Sequence, residues 1–183
     1  MDDWSDERLM ESCGAGRHDA FEILVRRHQS AVHSMILRFT SRSADAEDLS
    51  QEVFLSCYRA APAYRPEARF KTWLYRIVVN ACLNYRKKVR PRLVEGLDSR
   101  PGPTPPPDQA AASAEACDSI EEAVQSLPEN QRMALLLSRF EGFSYREIAQ
   151  IMGATLPAVE SYLHRAYETL REKLRAGFQR ARC

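Results

Sequence analysis

The sequence predicts an all-α protein of two small helical domains joined by a Pro-rich linker, the C-terminal one containing a helix-turn-helix. Three observations carry that reading. Apolar residues recur at three- and four-residue spacing in several long segments, the period of a single buried helix face. Glycine is scarce, at 7 of 183 residues, and β-branched runs are nearly absent. Pro91, Pro101, Pro103, Pro105, Pro106 and Pro107 crowd the stretch from Val89 to Asp118, where missing backbone donors work against helix and favour an extended connection.

In the first domain, residues 1–88, Ser5 caps a short helix through Ser12. A longer helix follows from Asp19 to Arg38, with Phe21, Leu24, Val25, His28, Val32, Ile36 and Phe39 marking its buried side. Ser43 precedes a helix from Ala44 to Arg59, striped by Ala46, Leu49, Val53 and Cys57. Pro62 to Pro66 break the chain, and Phe70 to Lys88 repeats the pattern with Phe70, Trp73, Leu74, Ile77, Ala81 and Tyr85. Three amphipathic helices and a short one can bury a common core.

After the linker, residues 89–118, the second domain occupies 119–183 and opens with a short helix ending near Ser126. Leu127-Pro128 starts the next, since proline fits a first helical turn, and Gly142 closes it. Ser144-Tyr145-Arg146-Glu147 is a capping-box pattern. The helix it begins is short, ending at Met152-Gly153. Thr155 caps the last helix, Pro157 sits in its first turn, and it runs to about Ala176 with Val159, Leu163, Ala166, Leu170 and Leu174 on one face.

Composition narrows the function classes without choosing among partners. A net charge of +1 averages over the whole chain and says little about local patches. Cys13, Cys57, Cys82, Cys117 and Cys183 are odd in number, with no CxxC pair, so neither a zinc site nor a disulfide framework is expected, and a reducing cytoplasm is the natural setting. The acidic start Met1-Asp2-Asp3-Trp4 does not read as a signal peptide, and no apolar run approaches the roughly 20 residues of a membrane span. No Gly-rich phosphate loop, metal-ligand cluster or nucleophile–base pair points to an enzyme, a cofactor or a small-molecule substrate. His18, His28, His33 and His164 read as helix residues, with His28 and His33 on partly buried faces.

Three segments carry chemistry. From Ser144 to Arg165, a capped short helix, a tight turn at Gly153-Ala154 and a second capped helix have the form of a helix-turn-helix. The second helix of that motif lies in the major groove with its N-terminal residues on base edges. Ser144, Thr155, Pro157, Ala158, Glu160, Ser161, His164 and Arg165 are therefore the candidates for duplex contact. Glu160 is unusual there: it is placed to accept from cytosine N4, to repel phosphate, or to pair with a neighbouring Arg.

From Tyr58 to Arg92, aromatic and basic residues interleave, and only Glu67 is acidic. Single-stranded DNA binding needs this combination, each stacked base contributing about 1–3 kcal/mol while cations neutralise the backbone. Tyr64 and Arg65, beside prolines, and Lys71 and Arg76 are the candidates, with Trp73 assigned to the core. Asn80 is an amide in an otherwise apolar run, suited either to a base edge or to a spare backbone group. The third segment, Asp45 to Phe54, crowds acids into the first turn of a helix. Complementing the helix dipole explains them, and so does docking to a basic protein partner.

Together these segments resemble the extracytoplasmic-function (ECF) sigma factors of bacterial RNA polymerase, over nearly the whole chain. "DAEDLSQEVF" is similar to the family's segment that binds the clamp coiled coil of the largest polymerase subunit. "FKTWLYRIVVN" resembles the segment that handles the minus-ten element and helps open the duplex, and "GFSYREIAQIMG…VESYLHRA" the reader of the minus-thirty-five element. The resemblance implies that Asp45, Asp48, Leu49, Gln51, Glu52 and Phe54 engage core polymerase. It also implies that Tyr64, Arg65 and Asn80 line the site of a base turned out of the duplex. Relatives often carry Lys or Arg where this chain has Glu160 and Tyr162.

The resemblance further implies three kinds of partner: core RNA polymerase, promoter DNA and an inhibitory anti-sigma protein, with no direct membrane insertion of the chain itself. The inhibitor is expected to wedge between the domains and mask Asp48 or the recognition helix. A linker of about 30 residues spans roughly 30 Å on average and about 100 Å when extended, so element spacing needs a rigid third body, which polymerase supplies. The competing reading is a helix-turn-helix repressor with a helical sensor domain. It accounts for residues after Ser144 but not for the acidic helix or the aromatic-basic stretch.

Overall fold

The computed structural model describes residues 1–95 and 120–180, and all regular structure among them is helical. The order is α1 (Asp6–Gly14), α2 (His18–Thr40), α3 (Ser43–Ala60), a 3-10 turn (Ala61–Ala63), α4 (Phe70–Glu95), α5 (120–125), α6 (Glu129–Arg139), α7 (Tyr145–Met152) and α8 (Leu156–Arg180). Helices α1 to α4 form one body. Helices α5 to α8 form a second, seated directly on the first through α2 against α6 and α4 against α7.

Local chemistry sets the helix ends. Ser5 Oγ accepts the Arg8 N–H at 3.3 Å and caps α1. Gly14 lets the end of α1 approach the 3-10 turn, since a Cβ there would lie 2.6 Å from the Ala61 carbonyl oxygen. Helix α2 ends at Ser41 in the left-handed region (φ 57°), where its N–H donates to Leu37 O at 2.7 Å. The cap position of α3 is Arg42 without a side-chain hydrogen bond, and Ser43, expected just before the helix, is its first helical residue.

Leu9, Met10, Leu24, Val32, Met35, Ile36, Phe39, Val53 and Leu74 are all at most 1% exposed and form the core of the first body. Each such side chain stabilises the fold by about 1.5–3 kcal/mol relative to leaving it in water. Helix α4 departs from the expected stripe. Trp73, Ile77, Ala81 and Tyr85 are only half-buried, whereas Tyr75, Val78, Val79 and Cys82 are covered. Its face is wider than one amphipathic stripe because α7 packs on it from the side of Tyr75, whose ring meets Phe143 edge-on at 5.0 Å.

The helix expected to stop at Lys88 continues to Glu95, with Pro91 inside it. Proline's fixed φ is compatible with helix, and the loss is one backbone hydrogen bond and some crowding of the preceding turn. The remainder of the expected linker lies outside the described residues. Helix α6 is buried almost all round from Arg132 to Leu137, because α2, α7 and α8 surround it. Along α8, Val159, Leu163 and Ala166 are buried as expected, and Leu170 and Leu174 half-buried. Cys13, Cys57 and Cys82 are free and buried, and burial pushes the Cys57 and Cys82 thiols up to about 12, so they serve as packing.

Candidate functional site

The helix-turn-helix is built by its caps. Ser144 Oγ accepts the Glu147 N–H at 3.4 Å, and the Glu147 carboxylate accepts the Ser144 N–H at 2.9 Å, so both orphan donors are satisfied. Hydrogen bonds from Ser144 hold the Glu147 carboxyl below the usual range. Gly153 takes φ 61° to close α7, a conformation that favours glycine. Thr155 Oγ1 then accepts the Ala158 N–H at 3.3 Å to start α8. Ile148, Ile151, Val159 and Leu163 pin the two helices to the core.

Of the eight candidates for duplex contact, Pro157, Glu160, Ser161, His164 and Arg165 are exposed on α8, while Ala158 is half-buried. Ser144 and Thr155 are exposed as well, and their side chains cap α7 and α8. Glu160 pairs with no cation among the described residues, which removes the pairing explanation and leaves its carboxylate directed to whatever the helix meets. His164 instead pairs along the helix with Glu168, Nε2 to Oε1 at 3.3 Å. Tyr162 is half-buried and lines a cleft beside Arg165.

On α4, Arg76 and Asn80 fall one turn apart on the exposed side, and Asn80 makes no hydrogen bond there. The alternative that this amide satisfies a spare backbone group is thereby set aside. Arg65 is exposed, with Nη1 donating to Tyr64 O at 2.8 Å. Tyr64 corrects the sequence reading. It is 4% exposed, packed edge-on against Trp73 at 5.0 Å and near Phe70, so its ring offers no stacking face. Beside prolines it reads as a loop residue, but burying an aromatic ring outweighs exposure of the segment. Its hydroxyl is buried without a partner, and burial, followed by the charges of Glu7, Glu11 and Asp6, pushes the phenol up to about 12. Lys71 is half-buried, its Nζ donating to Glu141 O at 3.0 Å.

On α3, Asp48, Gln51 and Glu52 are exposed and Phe54 half-buried, whereas Leu49 is 6% exposed and belongs to the core stripe. Leu49 is therefore not a surface contact. Asp45 is tied down internally, accepting from the Tyr85 hydroxyl at 2.6 Å and from Arg42 Nε at 3.0 Å. Burial, and then the Asp45 carboxylate, pushes the Tyr85 phenol up to about 12.

Beside these acids an open, mainly apolar groove of about 800 Å³ runs between α2 and α3. Phe21 and Val25, expected in the core, line it with His33, Phe54, Leu55 and Tyr58. Leu55 is 54% exposed and Tyr58 36%. The sequence reading passes over Leu55 and takes Tyr58 only as the start of the aromatic-basic stretch, although Gln51, Leu55 and Tyr58 form a second stripe beside the core stripe of α3. Tyr58 is held by His18, hydroxyl to Nδ1 at 2.6 Å, and meets Phe21 edge-on at 5.1 Å.

Residues 24–92 match the family model of sigma-70 region 2, and residues 117–170 that of sigma-70 region 4. The chain is 33% identical over 181 residues to the RNA polymerase sigma-H factor of Pseudomonas aeruginosa, covering 92% of this chain and 93% of that one. It is 34% identical over 187 residues to the ECF RNA polymerase sigma-E factor of Escherichia coli, covering 96% and 97%. A solved structure of CnrH in complex with the cytosolic domain of CnrY superposes with a TM-score of 0.72 at 26% identity, covering 93% and 97%. The sigma factor RpoE in complex with the anti-sigma factor NepR from Bartonella quintana shares the fold, with a TM-score of 0.66 at 23% identity, covering 85% and 96%.

Two helical bodies, one with an open groove and a polar helix face and the other with a helix-turn-helix, are thus the two-region architecture of a transcription initiation factor. The chain belongs to the ECF sigma factors of RNA polymerase.

Proposed function

We propose that residues 1–88 act as the region 2 domain, docking core RNA polymerase and handling the minus-ten element, and residues 119–183 as the region 4 domain reading the minus-thirty-five element. The observation that carries this division is the groove between α2 and α3. Exposed Leu55 and Tyr58 beside the acids Asp48 and Glu52 suit a helical protein partner with a basic rim, such as the polymerase clamp coiled coil. Gln51 and Phe54 complete that surface. Arg65, Arg76 and Asn80 form the minus-ten face, with Lys71 joining once freed from Glu141. Pro157, Ala158, Glu160, Ser161, His164 and Arg165 form the minus-thirty-five face, positioned by Ser144 and Thr155.

In this reading the chain works by binding alone and performs no catalysis. Run-off transcription with purified core polymerase on a genomic library tests it. Initiation at a defined set of promoters is expected only when the chain is present, and failure to associate with polymerase overturns the reading. An inhibitory protein partner is the expected control. The relative CnrH was solved with the cytosolic domain of a second protein, and the exposed groove supports a partner that covers it. Among the described residues no helix is long and apolar enough to cross a membrane.

Glu160 supplies a sharper test of base readout. Glu160→Lys is expected to change the preferred minus-thirty-five sequence by about 1–3 kcal/mol at one base pair and to raise affinity for unrelated duplex. Binding-site selection with the holoenzyme measures both; an unchanged preference removes Glu160 from the readout.

A further inference from the structure

We propose that the cleft between α4, α6 and α8 is a binding site for a nucleotide, of the size and charge of a nucleoside diphosphate. The site goes beyond the sigma-factor reading, which calls only for protein and DNA partners, and does not depend on it.

The cleft encloses about 570 Å³, within the range of small-molecule sites and well beyond the size of a lone phosphate. Arg86 of α4, Arg132 of α6 and Arg165 of α8 reach it from three helices, and Glu129 is the carboxylate on its wall. Arg86 and Glu129 lie 3.9 Å apart, a long ion pair that leaves the Arg86 fork able to take a second acceptor. Burial, and then the like charge of Arg86, lowers the Arg132 pKa to about 10. The cations therefore oppose one another, and an anion between them relieves the repulsion. Three cations against one carboxylate suit two phosphoryl groups better than one.

Backbone donors face the same space. No side chain caps α6, which follows Pro128. The N–H groups of Glu129, Asn130 and Gln131 have no intrahelical acceptor, and all three residues line the cleft. Such a helix end favours phosphate through its N–H groups and its dipole, yet alone it is an ordinary solvated terminus. Arg132 distinguishes this one. It is 1% exposed on the cleft wall, and its Nε–H is buried and meets no acceptor among the described residues. Leaving a buried charged donor unbonded is costly, and a phosphate oxygen in the cleft removes that cost.

A second orphan decides between a bare anion and a nucleotide. Gln131 Oε1 is also buried without a donor, and a phosphate, having only acceptors, cannot serve it. A nucleobase carries N–H donors on its edge. Tyr162, half-buried, and the Pro128 ring give the same cleft apolar faces on which a base plane can rest. Phosphates among the arginines, with the base on Tyr162 and its edge on Gln131, account for both orphans and for the volume.

Isothermal titration calorimetry of the full chain with ADP and with GDP, at fixed ionic strength, tests the site. One saturable site is expected for at least one of them, with inorganic pyrophosphate and the free nucleoside each about 10-fold weaker. Arg86→Gln, which removes a cation, is expected to weaken nucleotide binding about 10-fold. Glu129→Gln, which removes the opposing carboxylate, is expected to strengthen it several-fold. A gain of affinity cannot come from a damaged fold, so Glu129→Gln decides the matter even if Arg86→Gln does not fold.

No saturable binding of either nucleotide overturns the site. Pyrophosphate bound as tightly as the nucleotides overturns the assignment to a nucleotide, and so does a cleft that takes duplex DNA but neither nucleotide. Unchanged affinity in both variants places the ligand elsewhere and also sinks the proposal. Polymerase takes no part in these titrations, so the sigma-factor reading stands or falls separately.

Discussion

Replacing Arg132 with alanine is expected to destabilise the protein by about 3–5 kcal/mol, the range for breaking a buried, hydrogen-bonded charge. Arg132 is 1% exposed inside the second body. Its guanidinium donates to Phe39 O at 3.0 Å, Gln125 Oε1 at 2.7 Å and Leu127 O at 3.0 Å, and also to Gln125 O. Burial, and then the like charge of Arg86, lowers its pKa to about 10, so the site holds a desolvated cation whose stability depends on that ring of oxygens. Alanine leaves a void and several buried acceptors without donors, each costing about 1–3 kcal/mol. Arg132→Lys is expected to lose nearly as much, because a point charge does not reproduce the planar fork. Urea unfolding followed by far-UV circular dichroism checks both; an unmoved midpoint denies the guanidinium any structural role.

The second large effect is on association. Leu55→Glu is expected to weaken binding to core RNA polymerase by about 100-fold, the loss from placing a charge at the centre of an apolar contact. Leu55 is 54% exposed, so the folded chain tolerates the change and the unfolding midpoint stays put. Asp48→Ala, on the rim, is expected to act mainly on association rate and its salt dependence. Fluorescence anisotropy of labelled protein titrated with core enzyme separates the two variants. Wild-type affinity for Leu55→Glu moves the polymerase surface elsewhere.

Much of the fold was legible because short-range chemistry writes it. Ser5, the Ser144–Glu147 box, Gly153 and Thr155 end helices through groups no more than four residues away, and the three- and four-residue stripes report which faces are covered. Contacts between distant segments leave no such trace. Nothing near Tyr75 or Lys71 in the chain announces Glu141, 66 and 70 residues on, so Lys71 reads as a free DNA contact and α4 as a one-faced helix. Tyr64 misleads for the opposite reason: prolines around it signal a loop, and the ring folds inward against Trp73 all the same. Leu49 and Leu55 differ only by which stripe of α3 they join. The first goes to the core and the second to the groove, a distinction that needs the position of α2.

The carboxylate of Glu160, standing at the tip of α8 without a cation beside it, bears on how the factor searches a genome. In the proposed role of α8 as the duplex reader, that carboxylate is expected to repel the phosphates of random duplex, so that fewer counterions are released and sojourns on irrelevant sequence are short. With millions of competing sites, a weak grip on the wrong ones matters as much as a firm grip on the right one. In that role, occupancy is expected to be governed by the assembled enzyme at a matching promoter, with few copies sequestered on bulk chromosome.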